Sequence, residues 1–298
     1  MEYKCTNVSK KYHRFAHKHD TIALENINLT FKSGDIIGIV GLESSGKTTL
    51  VDILSGNLKP NEGELDYNPK KVVRVYKQDY IKLNKNATVY DNMVCFGKKE
   101  GMSELDVESR MTQLREIFSL GNCINTKVSE LSEEYKIKCE VAITVMSSPR
   151  MIFIDDAFKF LNHACRNEIL KCLKRLNKEE RTIVVIVGSD IGDVEKIINR
   201  IILIDKNNVI YDNSYLEFKN KYCNNKIFEV FLNKNVSVDS FKGIEIIESN
   251  DYHYKLLFEN KSGMFANVIN LFDVNNILDL KVGNIDLSDI VDKIRKGE

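Results

Sequence analysis

The segment Gly41–Thr49, GLESSGKTT, matches the pattern G-x-x-x-x-G-K-[ST] at every defined position. The apolar run Ile36–Val40 before it predicts a buried strand, and Thr49–Gly56 after it predicts a helix ending at a glycine. A glycine-bounded loop between strand and helix binds phosphate, because backbone N–H groups and the helix N-terminus point at phosphate oxygens. Lys47 is expected to reach the β- and γ-phosphates, and the Thr48 hydroxyl to ligate Mg²⁺. The residues of this segment expected to bind the nucleotide are Gly41, Ser44, Ser45, Gly46, Lys47, Thr48 and Thr49.

A second apolar run, Met151–Ile154, ends in two acidic residues, Asp155 and Asp156. A phosphate loop combined with a second strand that ends in Asp is typical of Mg-nucleotide chemistry. We therefore expect Asp155 to hold Mg²⁺ through water. Asp156 stands where a general base would orient the attacking water.

The composition limits the functional classes. Lys+Arg and Asp+Glu both number 43, so the net charge is +0, and no global basic field predicts a nucleic-acid partner. The seven cysteines form no C-x-x-C pair, which favours reduced thiols in a cytosolic protein. The sequence shows no signal peptide, and no stretch approaches the roughly 18 to 20 apolar residues of a membrane span. Any membrane function therefore requires spanning helices from another chain.

The order of elements predicts an α/β fold. Continuous apolar runs predict buried parallel strands at Ile36–Val40, Val72–Tyr76, Met151–Ile154, Ile183–Val187 and Ile201–Ile204. Tyr3–Val8 and Ala23–Phe31 predict antiparallel strands beside this core, and residues from about 88 to 140 predict a helical insertion in which Glu104–Phe118 is the clearest amphipathic helix.

The residue pattern changes at about residue 221, where strands with alternating apolar and polar residues begin. The predicted strands are Ile227–Leu232, Ile244–Ser249 and Tyr252–Phe258, and the predicted helices are Gly263–Phe272 and Leu287–Arg295. We therefore predict one domain over residues 1–220 and a small C-terminal α+β domain over residues 221–298.

Over roughly residues 3–215 the motifs and their order resemble the ATP-binding subunits of ABC transporters. This resemblance implies a P-loop NTPase core with an antiparallel β subdomain and a helical insertion, and it implies ATP and Mg²⁺ as ligands. Tyr12 lies at the position where this family has an aromatic ring that stacks on adenine. Gln78 lies at the position of a glutamine that contacts Mg²⁺ and responds to the membrane partner. Leu131–Tyr135 occupies the place of the L-S-G-G-Q signature, which acts on the ATP of the partner chain. Phe160–Asn162 falls at the dimer-contact loop, and Gly188–Asp190 at the switch-histidine loop.

The sequence departs from this family at residues that concern catalysis. After Ser132, the signature has Glu133 and Glu134 in place of two glycines, and two carboxylates there would crowd and repel the γ-phosphate. Asp156 replaces the catalytic Glu with a side chain one methylene shorter, and Ser189 replaces the switch His. Asn162 replaces an Asp in a milder change. Because each ATP lies between one chain's loop and the other chain's signature, this chain weakens both sites of any dimer.

The resemblance implies an ATPase subunit that works with a membrane permease and a second ATP-binding chain, as a homodimer or heterodimer. We predict an exporter, since the region after about residue 221 resembles the C-terminal extension of exporter-type subunits. Hydrolysis is expected to be slow or partner-dependent. The alternative is a hydrolysis-deficient regulatory subunit of a heteromeric ABC complex. Either subunit would be cytoplasmic and peripheral on the inner face of the cell membrane.

Overall fold

The structure is a computed structural model that describes residues 1–12, 21–77, 83–155, 161–189, 192, 195–234, 243–261, 263–285 and 287–297. The chain divides into two compact units, Met1–Asp212 and Asn213–Glu298. This division lies eight residues before the predicted boundary at 220/221. All seven cysteines are free thiols in this structure.

The first unit contains a large sheet with strand order β5-β6-β7-β3-β8-β9 and a three-stranded antiparallel sheet with order β2-β1-β4. The strands are β1 (Glu2–Tyr12), β2 (Thr21–Lys32), β3 (Ile36–Val40), β4 (Glu62–Leu65), β5 (Val73–Lys77), β6 (Met151–Asp155), β7 (Ile183–Gly188), β8 (Arg200–Asp205) and β9 (Asn208–Ser214). The helices are α1 (Lys47–Leu54), α2 (Pro69–Val72), α3 (Val89–Lys99), α4 (Glu104–Ile117), α5 (Glu133–Thr144) and α6 (His163–Glu180), with a 3-10 turn at Val128–Glu130.

The five predicted parallel strands are confirmed, and the pairings β5-β6, β6-β7, β7-β3 and β3-β8 are parallel. Strands β3 and β6 are buried along their whole length, which explains their continuous apolar sequences. The parallel register aligns their carboxyl ends: Val40 lies opposite Gly188, Asp155 opposite Val187, and Lys77 opposite Asp155. The residues that follow these strands therefore meet at one edge of the sheet.

The predicted helical insertion consists of α3, α4 and α5. Helix α4 begins after Ser103, whose hydroxyl accepts the Asp106 amide, and it buries an apolar stripe at helical spacing that includes Val107, Met111 and Leu114. Arg110 lies in the same stripe, donates to the Val145 carbonyl at 2.7 Å and pairs with the Glu180 carboxylate of α6. The insertion is thus tied to the core by packing and by the partly buried Arg110–Glu180 ion pair.

The second unit contains a four-stranded antiparallel sheet with order β11-β12-β10-β13. Its elements are α7 (Tyr215–Phe218), a π-helical turn (Lys219–Cys223), β10 (Asn225–Leu232), β11 (Ile244–Asn250), β12 (His253–Glu259), α8 (Met264–Ile269), a 3-10 turn (Val274–Asn276), β13 (Ile277–Asn284) and α9 (Leu287–Lys296). Its core joins Phe228 and Val230 of β10 with Leu256 of β12 and Phe272 after α8. Strand β13 was not predicted from the sequence.

Candidate nucleotide site

The predicted phosphate loop connects β3 to α1, and its two glycines have steric reasons to be glycine. A Cβ on Gly41 would lie 2.2 Å from the Ile204 carbonyl oxygen and 2.6 Å from the Ser45 hydroxyl. Gly46 has a φ of 102° in the left-handed region, and a Cβ there would lie 2.4 Å from the Ala23 carbonyl oxygen. The loop is therefore packed against its neighbours so closely that both positions exclude a side chain.

Lys47 is the first residue of α1, and its side chain folds back over the loop. Its ammonium donates to the carbonyls of Gly41 and Leu42 at 2.8 Å each and lies 3.4 Å from the Ser45 hydroxyl. Ser44 contributes a left-handed turn with a φ of 60° on the exposed side of the loop. The lysine is thus held at the loop, where the sequence predicts that it meets phosphate.

The N-terminus of α1 is open to an anion. Gly46 is its N-cap and supplies no side-chain cap, and the first turn contains no acidic residue. The first backbone N–H groups of a helix have no partner within the helix and carry partial positive charge. Thr48, the predicted Mg²⁺ ligand, is exposed at this end of the helix.

Tyr12 lies beside α1, although 37 residues separate it from Thr49 in sequence. The Tyr12 hydroxyl is 3.5 Å from the Thr49 hydroxyl, and the Lys10 ammonium lies 5.7 Å from the centre of the Tyr12 ring. Tyr12 is 40% exposed, so an apolar surface beside the phosphate loop remains available for a planar base. The predicted adenine contact stays a prediction, and this position is compatible with it.

Asp155 ends β6 at the same edge of the sheet and is only 2% exposed. The Lys77 ammonium lies 3.2 Å from its Oδ2 atom, because Lys77 is the register partner of Asp155 on β5. Sequence reasoning did not single out Lys77. The signal was present, since Lys77 directly follows the predicted strand Val72–Tyr76 and immediately precedes Gln78.

Other predicted catalytic residues are divided between described and undescribed positions. Ser189 is exposed and follows β7 directly, one residue beyond the Gly188–Val40 pair, so it lies beside the start of the phosphate loop. Gln78 and Asp156 lie outside the described residues, so their predicted roles stay predictions. Asn162 is the N-cap of α6, where its side-chain oxygen accepts the Cys165 amide at 2.9 Å.

The predicted signature residues form the first turn of α5. Ser132 is the N-cap, and Glu133 and Glu134 are the first two helical residues. Carboxylates are favoured at this end of a helix because they offset its partial positive charge. Glu133 and Glu134 therefore place negative charge at a helix N-terminus that would otherwise attract an anion.

The two glutamates have basic partners on their own helix. Glu133 is 80% exposed and lies 3.5 Å from the Lys136 ammonium, whereas Glu134 lies 3.7 Å from the Lys138 ammonium. The Lys138 side chain is 6% exposed and is also 3.9 Å from Glu168. Glu134 is consequently held against the protein, and Glu133 is the carboxylate that faces solvent.

Ion pairing continues from Lys138 to α6. A hydrogen bond from Lys171, together with the charge of that ammonium, lowers the pKa of Glu168, and the Lys138 charge adds to the effect. Burial raises the pKa of the nearby Cys165 thiol. Lys138 thus lies between the Glu134 carboxylate at the start of α5 and the Glu168 carboxylate of α6.

The residues at the phosphate loop fit a magnesium nucleotide. The loop leaves no room for a Cβ at either glycine, presents an ammonium, and leads into a helix N-terminus without an acidic side chain. The buried Asp155 carboxylate at the neighbouring strand end supplies the oxygen chemistry that Mg²⁺ prefers. Among the residues that the structure describes, no cluster of three or more His, Cys, Asp or Glu could hold a metal by itself. A cation here would therefore take its remaining ligands from hydroxyl groups, water and the nucleotide.

A separate groove of about 390 Å³ lies in the first unit, away from the phosphate loop. Ser55 and Asn57 beyond α1, Val73 and Val75 of β5, and Phe96 of α3 line it. An ion pair between Arg74 and Glu100 borders the same groove. Strand β5 thus connects this groove to Lys77.

In the described part of the chain, no helix is both long and apolar enough to cross a membrane.

Residues 24–159 match the family described as ABC transporter. The sulfate/thiosulfate import ATP-binding protein CysA 1 of Shewanella oneidensis is 27% identical over 248 residues, which cover 79% of this chain and 64% of that protein. The methionine import ATP-binding protein MetN of Francisella tularensis is 28% identical over 218 residues, which cover 68% of this chain and 61% of that protein. The chain thus spans less than two thirds of the length of either relative. Both names describe import, so these relatives give no support to the predicted export direction.

Two solved structures share the fold. The ATP-binding cassette MJ0796, in a dimeric post-hydrolysis state bound to ADP and Pi, is 25% identical with a TM-score of 0.59, covering 71% of this chain and 98% of that chain. The protein cbiO1 from Clostridium perfringens, part of the ABC transporter complex cbiONQ, is 20% identical with a TM-score of 0.66, covering 74% of this chain and 90% of that chain. The predicted P-loop NTPase fold is confirmed.

Proposed function

We propose that this chain is the ATP-binding subunit of a membrane transporter. The match of residues 24–159 to the ABC transporter family supports this proposal. It would bind Mg-ATP at the phosphate loop, pair with a second ATP-binding chain, and act on a separate permease at the cytoplasmic face of the membrane. The observation that carries the proposal is the intact loop: Gly41 and Gly46 admit no side chain, and Lys47 is held over the loop.

Different residues of the chain would bind the phosphates, the base and Mg²⁺. Lys47 and the open N-terminus of α1 would hold the phosphates, Tyr12 would stack on the base, and Thr48 and Asp155 would hold Mg²⁺, the latter through water. When bound, Mg²⁺ supplies positive charge that offsets the charge of the phosphate oxygens. Lys77 would compete with Mg²⁺ for the Asp155 carboxylate.

We propose slow hydrolysis because the changes in the signature place charge where the partner's ATP would approach. Glu133 and Glu134 occupy the first turn of α5, and Glu133 is 80% exposed. A carboxylate near the γ-phosphate repels it by about 1 to 4 kcal/mol at 4 Å, depending on the local dielectric. The shorter Asp156 and the hydroxyl of Ser189 are expected to slow the reaction further.

The test is ATP hydrolysis by the purified chain and by the double variant Glu133→Gly/Glu134→Gly. We expect the wild-type rate to stay well below about 1 s⁻¹, and the double variant to hydrolyse ATP roughly tenfold or more faster. Glu133→Gln/Glu134→Gln is the matched control, because it removes the charge and keeps the bulk. A wild-type rate above about 1 s⁻¹, or no gain in the glycine variant, would refute the proposed impairment.

The alternative, a regulatory subunit that occludes ATP and does not hydrolyse it, is favoured by the same fixed charge at the start of α5. Assays of this chain alone, with its permease, and with a second ATP-binding chain separate the two functions. Activity with the permease alone supports a transport ATPase. Activity that requires another ATP-binding chain, and that survives Lys47→Ala in this one, supports the regulatory subunit.

We propose the groove beside β5 as the place where a permease segment docks. Its walls include Phe96 and Val75, and β5 runs from it to Lys77 and the Asp155 carboxylate, so a rigid strand joins the two places. The predicted amphipathic helix Glu104–Phe118 belongs to the same helical insertion, and its surface is proposed to face the permease as well. Phe96→Asp should reduce co-purification with the permease and leave ATP binding unchanged, whereas an equal loss of ATP binding would indicate misfolding instead of failed docking.

We retain export as the proposed direction only on the resemblance of the C-terminal region, since the named relatives are import proteins. Transport by the reconstituted complex in vesicles decides it. ATP supplied on the side of this chain drives substrate away from that side in an exporter and toward it in an importer.

A further inference from the structure

Strand β13 carries an uncovered apolar stripe. Leu278, Leu280 and Val282 alternate along it and are 68%, 41% and 46% exposed. In the antiparallel register Val282 lies opposite Phe228 and Leu280 opposite Val230, both of which are fully buried. Directly opposite residues share a face of a sheet, so Leu280 and Val282 continue the core face of the second unit beyond its covered part. Leu278 lies at the irregularity where the register shifts between Phe231 and Leu232.

Strand β13 is also the edge of its sheet. Among the described residues its strand neighbour is β10 on one side, and no described strand pairs with its other side. An exposed edge with an apolar face is a template for pairing with another chain. Single charged residues on such an edge usually discourage pairing, and β13 carries two, Asp279 and Lys281.

The spacing of these charges makes the strand complementary to itself. If two copies of β13 pair antiparallel about a two-fold axis at Leu280, Asp279 lies opposite Lys281 of the partner subunit, and Leu278 lies opposite the partner's Val282. From Leu278 to Val282, each cross-strand pair then joins opposite charges or two apolar side chains, and both kinds of pair stabilise antiparallel sheets. A parallel pairing in register would instead bring like charges close. The charges therefore select one closed, two-fold arrangement.

We propose that β13 pairs with β13 of a second copy of this chain about an axis at Leu280, joining two four-stranded sheets into one of eight strands. The inference goes beyond the proposed function, because this contact needs no nucleotide. It would keep two copies of the chain associated between cycles of ATP binding. The area of one strand edge and three apolar side chains is small, so the dimer is expected to be of micromolar affinity.

The test measures the mass of the full chain without nucleotide by analytical ultracentrifugation, from about 1 to 100 µM, the range that brackets such an affinity. We expect a concentration-dependent dimer, and an unchanged one for Lys47→Ala, since that residue belongs to the nucleotide site. Leu280→Lys places two like charges at the axis and should weaken the dimer at least roughly tenfold. Val274→Lys is the matched control, because Val274 is 69% exposed but lies outside β13.

A mixing experiment tests the register and removes the ambiguity of a misfolded variant. Asp279→Lys and Lys281→Asp should each be monomeric alone, because each creates like charges across the axis. An equal mixture of the two variants should form a heterodimer, since opposite charges are restored at both positions. That recovery requires both variants to be folded.

The proposal is overturned by a wild-type chain that stays monomeric at about 100 µM, or by a dimer that survives Leu280→Lys. Failure of the mixed variants to associate would overturn it too. Capture of a permease segment by β13, competing with self-association, would show that the edge serves a different occupant. Each result is independent of ATP hydrolysis, so it leaves the proposed function untouched.

Discussion

Replacing Lys77 by methionine tests whether this residue competes with Mg²⁺ for Asp155. The substitution removes the ammonium 3.2 Å from the Asp155 carboxylate and keeps an unbranched side chain of similar length. In the wild-type chain the Lys77 ammonium competes with a cation that approaches Asp155, because it repels the cation and offsets the carboxylate charge. The variant should therefore require less Mg²⁺ to support ATP binding.

The separation and exposure of the two groups set the magnitude. Unit charges 3.2 Å apart interact by about 1.3 kcal/mol in water and about 5 kcal/mol at an effective dielectric constant of 20. The Lys77 side chain is 46% exposed, so the value near the aqueous limit applies although Asp155 is buried. About 1.4 kcal/mol corresponds to a tenfold change in an equilibrium constant, so the Mg²⁺ midpoint should fall roughly tenfold.

The assay titrates Mg²⁺ into the chain with a fluorescent ATP analogue and follows binding, which needs no hydrolysis. Lys77→Arg keeps the charge and should stay near the wild-type midpoint. Lys136→Met is a second control, because it removes a lysine that pairs with Glu133 on another helix. A midpoint within about threefold of wild type for Lys77→Met, well short of the expected tenfold, would refute the reasoning, as would identical behaviour of the arginine and methionine variants.

Three further predictions follow from single contacts. Gly41→Ala should abolish ATP binding and lower the free energy of unfolding by about 1 to 3 kcal/mol, because its Cβ would lie 2.2 Å from a backbone carbonyl oxygen. Gly121→Ala is the control, since a Cβ there has nothing within 4 Å and should change neither quantity. Equilibrium titration measures ATP binding, and urea unfolding measures stability. Tyr12→Ala should weaken ATP binding roughly tenfold through lost base stacking, and Tyr12→Phe should restore most of it, measured by the same titration; equal losses would exclude stacking. Arg110→Met should lower the free energy of unfolding by about 3 kcal/mol, because it leaves the partly buried Glu180 carboxylate without its partner. Arg115→Met, at an exposed position, should lower it by under about 0.5 kcal/mol, and urea unfolding measures both variants.

Much of the first unit could be predicted from sequence because its signals are local. A strand buried on both faces reads as an uninterrupted apolar run, as in β3, β6 and β7. The short strand β4, Glu62–Leu65, could not be predicted, since it is mostly exposed and half acidic and depends on pairing with β1. Strand β13 was not predicted, although Leu278, Leu280 and Val282 alternate with polar residues, and its register partners on β10 lie 45 to 58 residues earlier in the chain.

The sequence by itself determined the phosphate loop, because glycines, lysine and threonine at fixed spacing act within one turn of strand, loop and helix. It also determined which signature residues are replaced. Tertiary structure alone decided that Lys77 meets Asp155 across 78 residues, because strand register places them side by side. Structure alone also decided that Glu134 is held by the buried Lys138 while Glu133 faces solvent, since burial depends on the neighbours that the fold assembles.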